Sequence, residues 1–75
     1  MTKNDVINLI ATVLECKTSE LNGKSGLGRH PKWDSLGHVG IMAALEETFN
    51  VPVSDATIGC LTTIDKIADY VERRA

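Results

Sequence analysis

The sequence predicts an all-α fold, a small bundle of three main helices plus one short helix, with a long loop between helices one and two. Three observations carry this. Apolar residues recur at helical spacing in three separate segments. Helix start and stop residues flank those segments at the right places. The one long stretch between them, residues 18–33, holds three glycines and a proline and shows no period-two run that would make a strand.

The first segment runs from about Asn4 to Cys16. Ile7, Ile10 and Leu14 repeat at i, i+3 and i+7, and Val6 and Val13 widen the stripe into a face. Thr2 followed by Asp5 resembles a capping box with the shorter acid, and Asp5 suits a first turn. The loop of residues 18–33 is long for so small a chain, which implies a function or a wide span to cross. Leu21, Leu27 and Trp33 are expected to pin it onto the core.

The second helix is expected to begin at Asp34 and to end at about Phe49. Asp is a favoured N-cap, Asn50 can take the left-handed position after the last turn, and Pro52 lies just beyond. On a helical wheel His38, Ile41, Met42, Leu45 and Phe49 fill one core-facing arc. The opposite arc holds Ser35, Leu36, Val39, Gly40, Ala43, Glu46 and Glu47. It is too apolar for solvent alone and too charged for a core, so it reads as a surface that a partner covers. Ser54 or Asp55 caps a short turn through Ile58 that Gly59 ends. Thr62 or Thr63 caps the last helix, Ile64 to Arg74, with Ile64, Ile67, Ala68 and Val71 inward. Thr62 with Asp65 makes a second capping-box-like pair, and Arg73 and Arg74 suit the negative end of that helix.

Composition bounds the function. The 75 residues, 1–75, make one domain at most, with 43% hydrophobic and 24% charged residues and only three aromatics, Trp33, Phe49 and Tyr70. The core must therefore be aliphatic. A formal charge of −2 argues against nucleic acid, whose binders need a basic surface to displace counterions. Glu46 and Glu47 on the face that would read DNA argue the same way. No apolar run approaches a membrane span, and no secretory cleavage pattern follows the first residues. A cytoplasmic monomer is expected. Cys16 and Cys60 are too few for a disulfide scaffold, and with His30 and His38 they form no close Cys/His motif, so no metal site is expected and both cysteines read as reduced packing residues.

Chemistry is concentrated at Trp33-Asp34-Ser35-Leu36. A helix N-terminus offers unpaired N–H groups and the positive end of the dipole, so a phosphate carried on Ser35 would be stabilised there. Taken locally, Asp34 is also simply an N-cap and Ser35 a first-turn residue. Asp34, Ser35 and His38 supply the ingredients of a hydrolase, but three groups within five residues cannot fill the separate roles of a triad. Arg29, His30 and Lys32 place basic residues just before the motif.

Over nearly its full length the chain resembles the acyl carrier protein family. The resemblance lies in the first helix and long loop, Asp34-Ser35-Leu36, the stretch Ala43-Ala44-Leu45-Glu46-Glu47-Thr48-Phe49, the short third helix and the Thr-Ile start of the last. It implies an acyl carrier domain over 1–75 that is not an enzyme. In it 4′-phosphopantetheine, taken from coenzyme A, is joined to Ser35, flanked by Asp34 and Leu36, and holds acyl groups as thioesters. The partners it implies are a phosphopantetheinyl transferase and acyl-loading and acyl-transferring enzymes, which would meet Leu36, Val39, Gly40, Ala43, Glu46 and Glu47. Typical members are acidic where this chain has Gly37 and Gly40, so a dedicated carrier in a specialised pathway is expected. The alternative is a small helical protein–protein interaction module without a prosthetic group.

Overall fold

The computed structural model describes residues 3–74, the side chain of Arg74 excepted. Among these residues there are four α-helices and no strand: α1 (Lys3–Leu14), α2 (Ser35–Phe49), α3 (Asp55–Cys60) and α4 (Ile64–Arg74). A 3₁₀ turn, Thr18–Glu20, opens the long loop. The helix α1 packs on α2 and α4, and α3 leans on α2, within 27 × 23 × 19 Å. The all-α bundle expected from periodicity is the fold found. No helix among the described residues is long and apolar enough to cross a membrane.

The core is aliphatic around one indole. Val6, Ile10, Ala11 and Leu14 from α1 meet Ile41, Met42 and Leu45 from α2 and Ile64, Ile67, Ala68 and Val71 from α4. Trp33, Leu21, Val51 and Leu61 close it from the connections. Ile7, Val13 and Phe49 sit at its edge, half-buried.

Several boundaries differ from expectation. The first helix stops at Leu14, two residues early, because Glu15 turns left-handed at φ 54°. The N–H of Cys16 then donates to Ala11 O at 3.0 Å and that of Glu15 to Thr12 O at 3.3 Å. This Schellman pair satisfies carbonyls the helix end would leave open. Glycine usually fills that position, so nothing in the sequence marked it. Gly59 does not end the short helix, which continues to Cys60 and closes with the Leu61 N–H on Thr57 O at 2.8 Å. Ser54, not Asp55, caps it. Cys60 is exposed and is no packing residue, whereas Cys16 is half-buried. Thr63 caps α4 through its hydroxyl, which accepts from Lys66 N–H at 3.3 Å. Asp65 does not pair with Thr62; its carboxylate meets Lys3 Nζ at 2.7 Å. The expected Thr2 cap lies outside the described residues, as does the Arg74 side chain.

The loop is fastened by its backbone more than by apolar pins. Leu21 and Trp33 are buried as expected, but Leu27 is 37% exposed. Its role is polar: the Leu27 N–H donates to Thr62 O at 2.9 Å, beside the antiparallel bridge between Gly26 and Thr63. The carbonyls of Ser25 and Gly23 accept from Ile64 and Asp65 N–H, each at 2.9 Å. Those are first-turn donors of α4 that have no partner inside the helix. Gly26 permits the approach, since a Cβ there would run into the Thr62 carbonyl.

Two substitutions measure these features with opposite signs. Leu45→Ala, at a fully buried position, is expected to cost about 2–5 kcal/mol of stability. Glu15→Gly is expected to gain about 0.5–1 kcal/mol, because relief of the left-handed backbone outweighs the added freedom of the unfolded chain. Urea denaturation of both variants against the parent checks the two signs.

Candidate functional site

The start of α2 is assembled from three elements. Asp34 is extended (φ −98°, ψ −171°), and its Oδ1 accepts from the Gly37 N–H at 2.8 Å. The first intrahelical bond runs from His38 N–H to Asp34 O at 2.8 Å. The N–H groups of Ser35 and Leu36 have no intrahelical acceptor by helix geometry. Ser35 is exposed at the first helical position, so its hydroxyl stands at the positive end of the dipole.

A buried polar chain holds this end in place. The Trp33 indole N–H donates to His38 Nδ1 at 2.9 Å, and His38 Nε2 contacts Ile58 O at 2.8 Å. Indole is only a donor, so Nδ1 must accept, and Nε2 carries the proton that it donates to the Ile58 carbonyl. The two rings stack with centroids 6.1 Å apart. His38, 4% exposed, is therefore a core residue with both nitrogens committed, and Asp34 is committed to Gly37. Neither is disposed toward Ser35 as acid or base. The Trp33–His38 pairing escaped the sequence reading. A buried indole needs an acceptor, and the histidine five positions on was the available signal.

The far face of α2 lies open as predicted. Leu36 is 83% and Val39 56% exposed, the two most exposed large apolar residues described. Ala43, Glu46 and Glu47 are exposed and Gly40 is half-buried. An open groove beside Ser35 is lined by Val13, Glu15, Lys32, Leu36, Gly37 and Gly40. Gly37 is explained within the chain, since a Cβ there would lie 2.6 Å from the Lys32 carbonyl oxygen. At Gly40 the nearest atom to a Cβ is Val13 Cγ1 at 3.4 Å, an ordinary contact.

The basic residues before the motif are each engaged within the chain. Lys32 Nζ donates to Glu15 O at 2.8 Å, capping the end of α1, and Arg29 reaches Lys24 O at 3.4 Å. His30 Nε2 meets Glu20 Oε1 at 3.1 Å. The chain also brings the Cys16 thiol to this pair, with one ligand atom from each of Cys16, Glu20 and His30 all within 4.8 Å of one another. No short motif links Cys16 to His30 in the sequence; the Glu15 turn and the loop bring these two together in space. Burial pushes the Cys16 thiol up from its ordinary value, helped by Glu20 and opposed by Lys32. The Lys17 backbone N–H, then His30, holds the Glu20 carboxyl below its own.

Comparison with known families agrees with this geometry. The family described as the phosphopantetheine attachment site matches residues 4–71, nearly the whole chain, and the chain belongs to that family. It is a carrier of 4′-phosphopantetheine, a covalent prosthetic group. An exposed hydroxyl at a helix start with two N–H groups open to a phosphate fits that group.

The two glycines separate sharply under substitution. Gly37→Ala is expected to cost about 1–3 kcal/mol, since the Lys32 carbonyl is backbone and must be displaced. Gly40→Ala is expected to be neutral or to gain up to about 1 kcal/mol from helix propensity. Thermal unfolding of both, with intact mass to establish the same modification state, checks the contrast.

Proposed function

We propose that this carrier takes its arm on Ser35, holds acyl intermediates on it and delivers them to partner enzymes without catalysing a reaction itself. The observation that carries the reading is an exposed serine at the first position of a helix, where the first N–H groups have no intrahelical acceptor. A phosphodiester on Ser35 would be balanced by those groups and by the helix dipole. When bound, the arm supplies a terminal thiol that holds the acyl group as a thioester, an activated donor kept at high effective concentration.

The residues of the chain do the rest. Asp34 fixes the helix start by capping Gly37 N–H, and the Trp33–His38–Ile58 chain anchors the segment behind it. Leu36, Val39 and Ala43 offer partners an apolar surface, and Glu46 and Glu47 offer charge to basic residues. Beyond the Asp34 cap the first turn of α2 carries no acid, so on the helix itself the residue that follows Ser35 toward a partner is the exposed, apolar Leu36. That arrangement suits dedicated partners in a specialised pathway more than enzymes that expect acids beside the attachment point. With Asp34 and His38 both committed elsewhere, the proposed role needs no acid or base of the chain's own.

Ser35→Ala tests attachment directly. Incubated with coenzyme A and a promiscuous phosphopantetheinyl transferase, the parent is expected to gain the mass of one arm and the variant none. An arm on the variant would move the site elsewhere.

Charge reversal tests the partner face. Glu46→Lys with Glu47→Lys is expected to slow loading by cognate enzymes most at low ionic strength, with thermal unfolding unchanged. Exposed charges set encounter rates, and salt screens them. Equal slowing at all salt concentrations would mean that these acids do not steer partners.

A further inference from the structure

We propose that Cys16, Glu20 and His30 form a zinc site that clamps the loop before Ser35 to the end of α1. Nothing in the carrier reading uses these three residues, and the site stands whether or not Ser35 bears the arm. Their donor atoms already lie within 4.8 Å of one another. Tetrahedral zinc, with bonds of about 2.0–2.3 Å, sets its ligand atoms roughly 3.3–3.8 Å apart. Glu20 and His30 are in contact at 3.1 Å and the thiol lies no more than 4.8 Å from either, so a slight opening of the pair and a thiol movement of at most about 1.5 Å complete a three-ligand arrangement.

The backbone that carries Cys16 and the carboxylate of Glu20 are both held in place. Cys16 is fixed by its N–H on Ala11 O at 3.0 Å, directly after the left-handed Glu15. Glu20 Oε2 accepts from Lys17 N–H at 3.1 Å, which leaves Oε1 for His30. Backing of this kind orients ligands and strengthens a metal site. A glutamate–histidine pair alone would fasten the turn; a half-buried thiol beside it adds the soft donor that turns a fastening into a metal site. Thiolate, imidazole and carboxylate together select zinc over magnesium or calcium. The exposed side of Glu20 leaves a fourth position for water.

The protons balance. His30 Nδ1 now accepts from Lys32 N–H at 3.1 Å, so Nε2 carries the proton shared with Glu20. On binding, bonds form from zinc to Sγ, Nε2 and Oε1. The Nε2 proton moves to Nδ1, the exposed Lys32 N–H turns to water, and the Cys16 S–H releases one proton to solvent.

The experiment uses the full chain before arm attachment, so that Cys16 and Cys60 are its only thiols, under a thiol-free reductant. Cobalt(II) is added first and zinc second. One equivalent of cobalt is expected to give a thiolate-to-cobalt charge-transfer band with tetrahedral d–d bands, which one equivalent of zinc then removes. Nitrogen-15 spectra are expected to move the His30 proton from Nε2 to Nδ1. Cys60→Ser should behave as the parent. Cys16→Ser should lose the charge-transfer band, and His30→Gln should weaken binding by at least about tenfold, with far-UV circular dichroism showing both folded. If Cys16→Ser unfolds, Glu20→Gln and His30→Gln carry the test. Absence of a thiolate band, its persistence in Cys16→Ser or its loss in Cys60→Ser overturns the proposal.

Discussion

The bonded chain from Trp33 through His38 to the Ile58 carbonyl is the constraint on which the rest of this fold depends. It joins the end of the long loop, the second turn of α2 and the body of α3 inside a core that is otherwise aliphatic. Its polarity runs one way: a donor-only indole, an imidazole that accepts once and donates once, and a carbonyl that closes the series. Among the described residues no buried side-chain nitrogen or oxygen is left without a partner. Breaking the middle of such a chain would strand an indole N–H and a carbonyl at about 1–3 kcal/mol each. A large share of a small domain's stability thus rests on one ring. Trp33 precedes Asp34 directly, so anchoring the indole also places the cap and the serine after it.

The loop obeys a second economy. A long connection in a small domain is costly unless its backbone groups find partners, and here they serve another element. Gly23 and Ser25 lend their carbonyls to the first turn of α4, while Lys32 lends its amine to the end of α1. One loop therefore closes the open end of two helices. Two glycines let its backbone pass close to other backbone: Gly26 against the Thr62 carbonyl, and Gly37 of α2 against the Lys32 carbonyl.

What the sequence made legible was whatever depends on residues close in the chain. The Asp34 cap, the left-handed Asn50 and the inward stripes of α1, α2 and α4 all follow from spacing or local chemistry. Ser35 and its open face were legible for the same reason, together with the family resemblance. What escaped reading depends on residues brought together by the fold. Glu15 takes a left-handed turn that glycine usually fills, because Lys32 and the Schellman bonds hold it there. Nothing near Gly37 in the chain explains it, because what excludes a side chain there is the Lys32 carbonyl brought up by the fold. Cys16 and His30, separated by the whole first part of the loop, come together in space in a way that no spacing rule announces.

The two exposed apolar residues and the two acids of α2 lie on one face but not at one end. Leu36 and Glu46 are ten residues apart, about 15 Å along the helix at 1.5 Å per residue. That distance exceeds the roughly 8–10 Å over which exposed charge acts at physiological salt, so under the proposed reading the ends do different work. Charge at the far end draws a partner in and sets its orientation before contact. Covering Leu36, 83% exposed in the free chain, is worth about 1.5–3 kcal/mol and rewards only a partner that has closed over the attachment end. A carrier must be held long enough for transfer and then released. Short-range contact of that size beside Ser35, preceded by screened attraction at a distance, supplies both without a permanent complex.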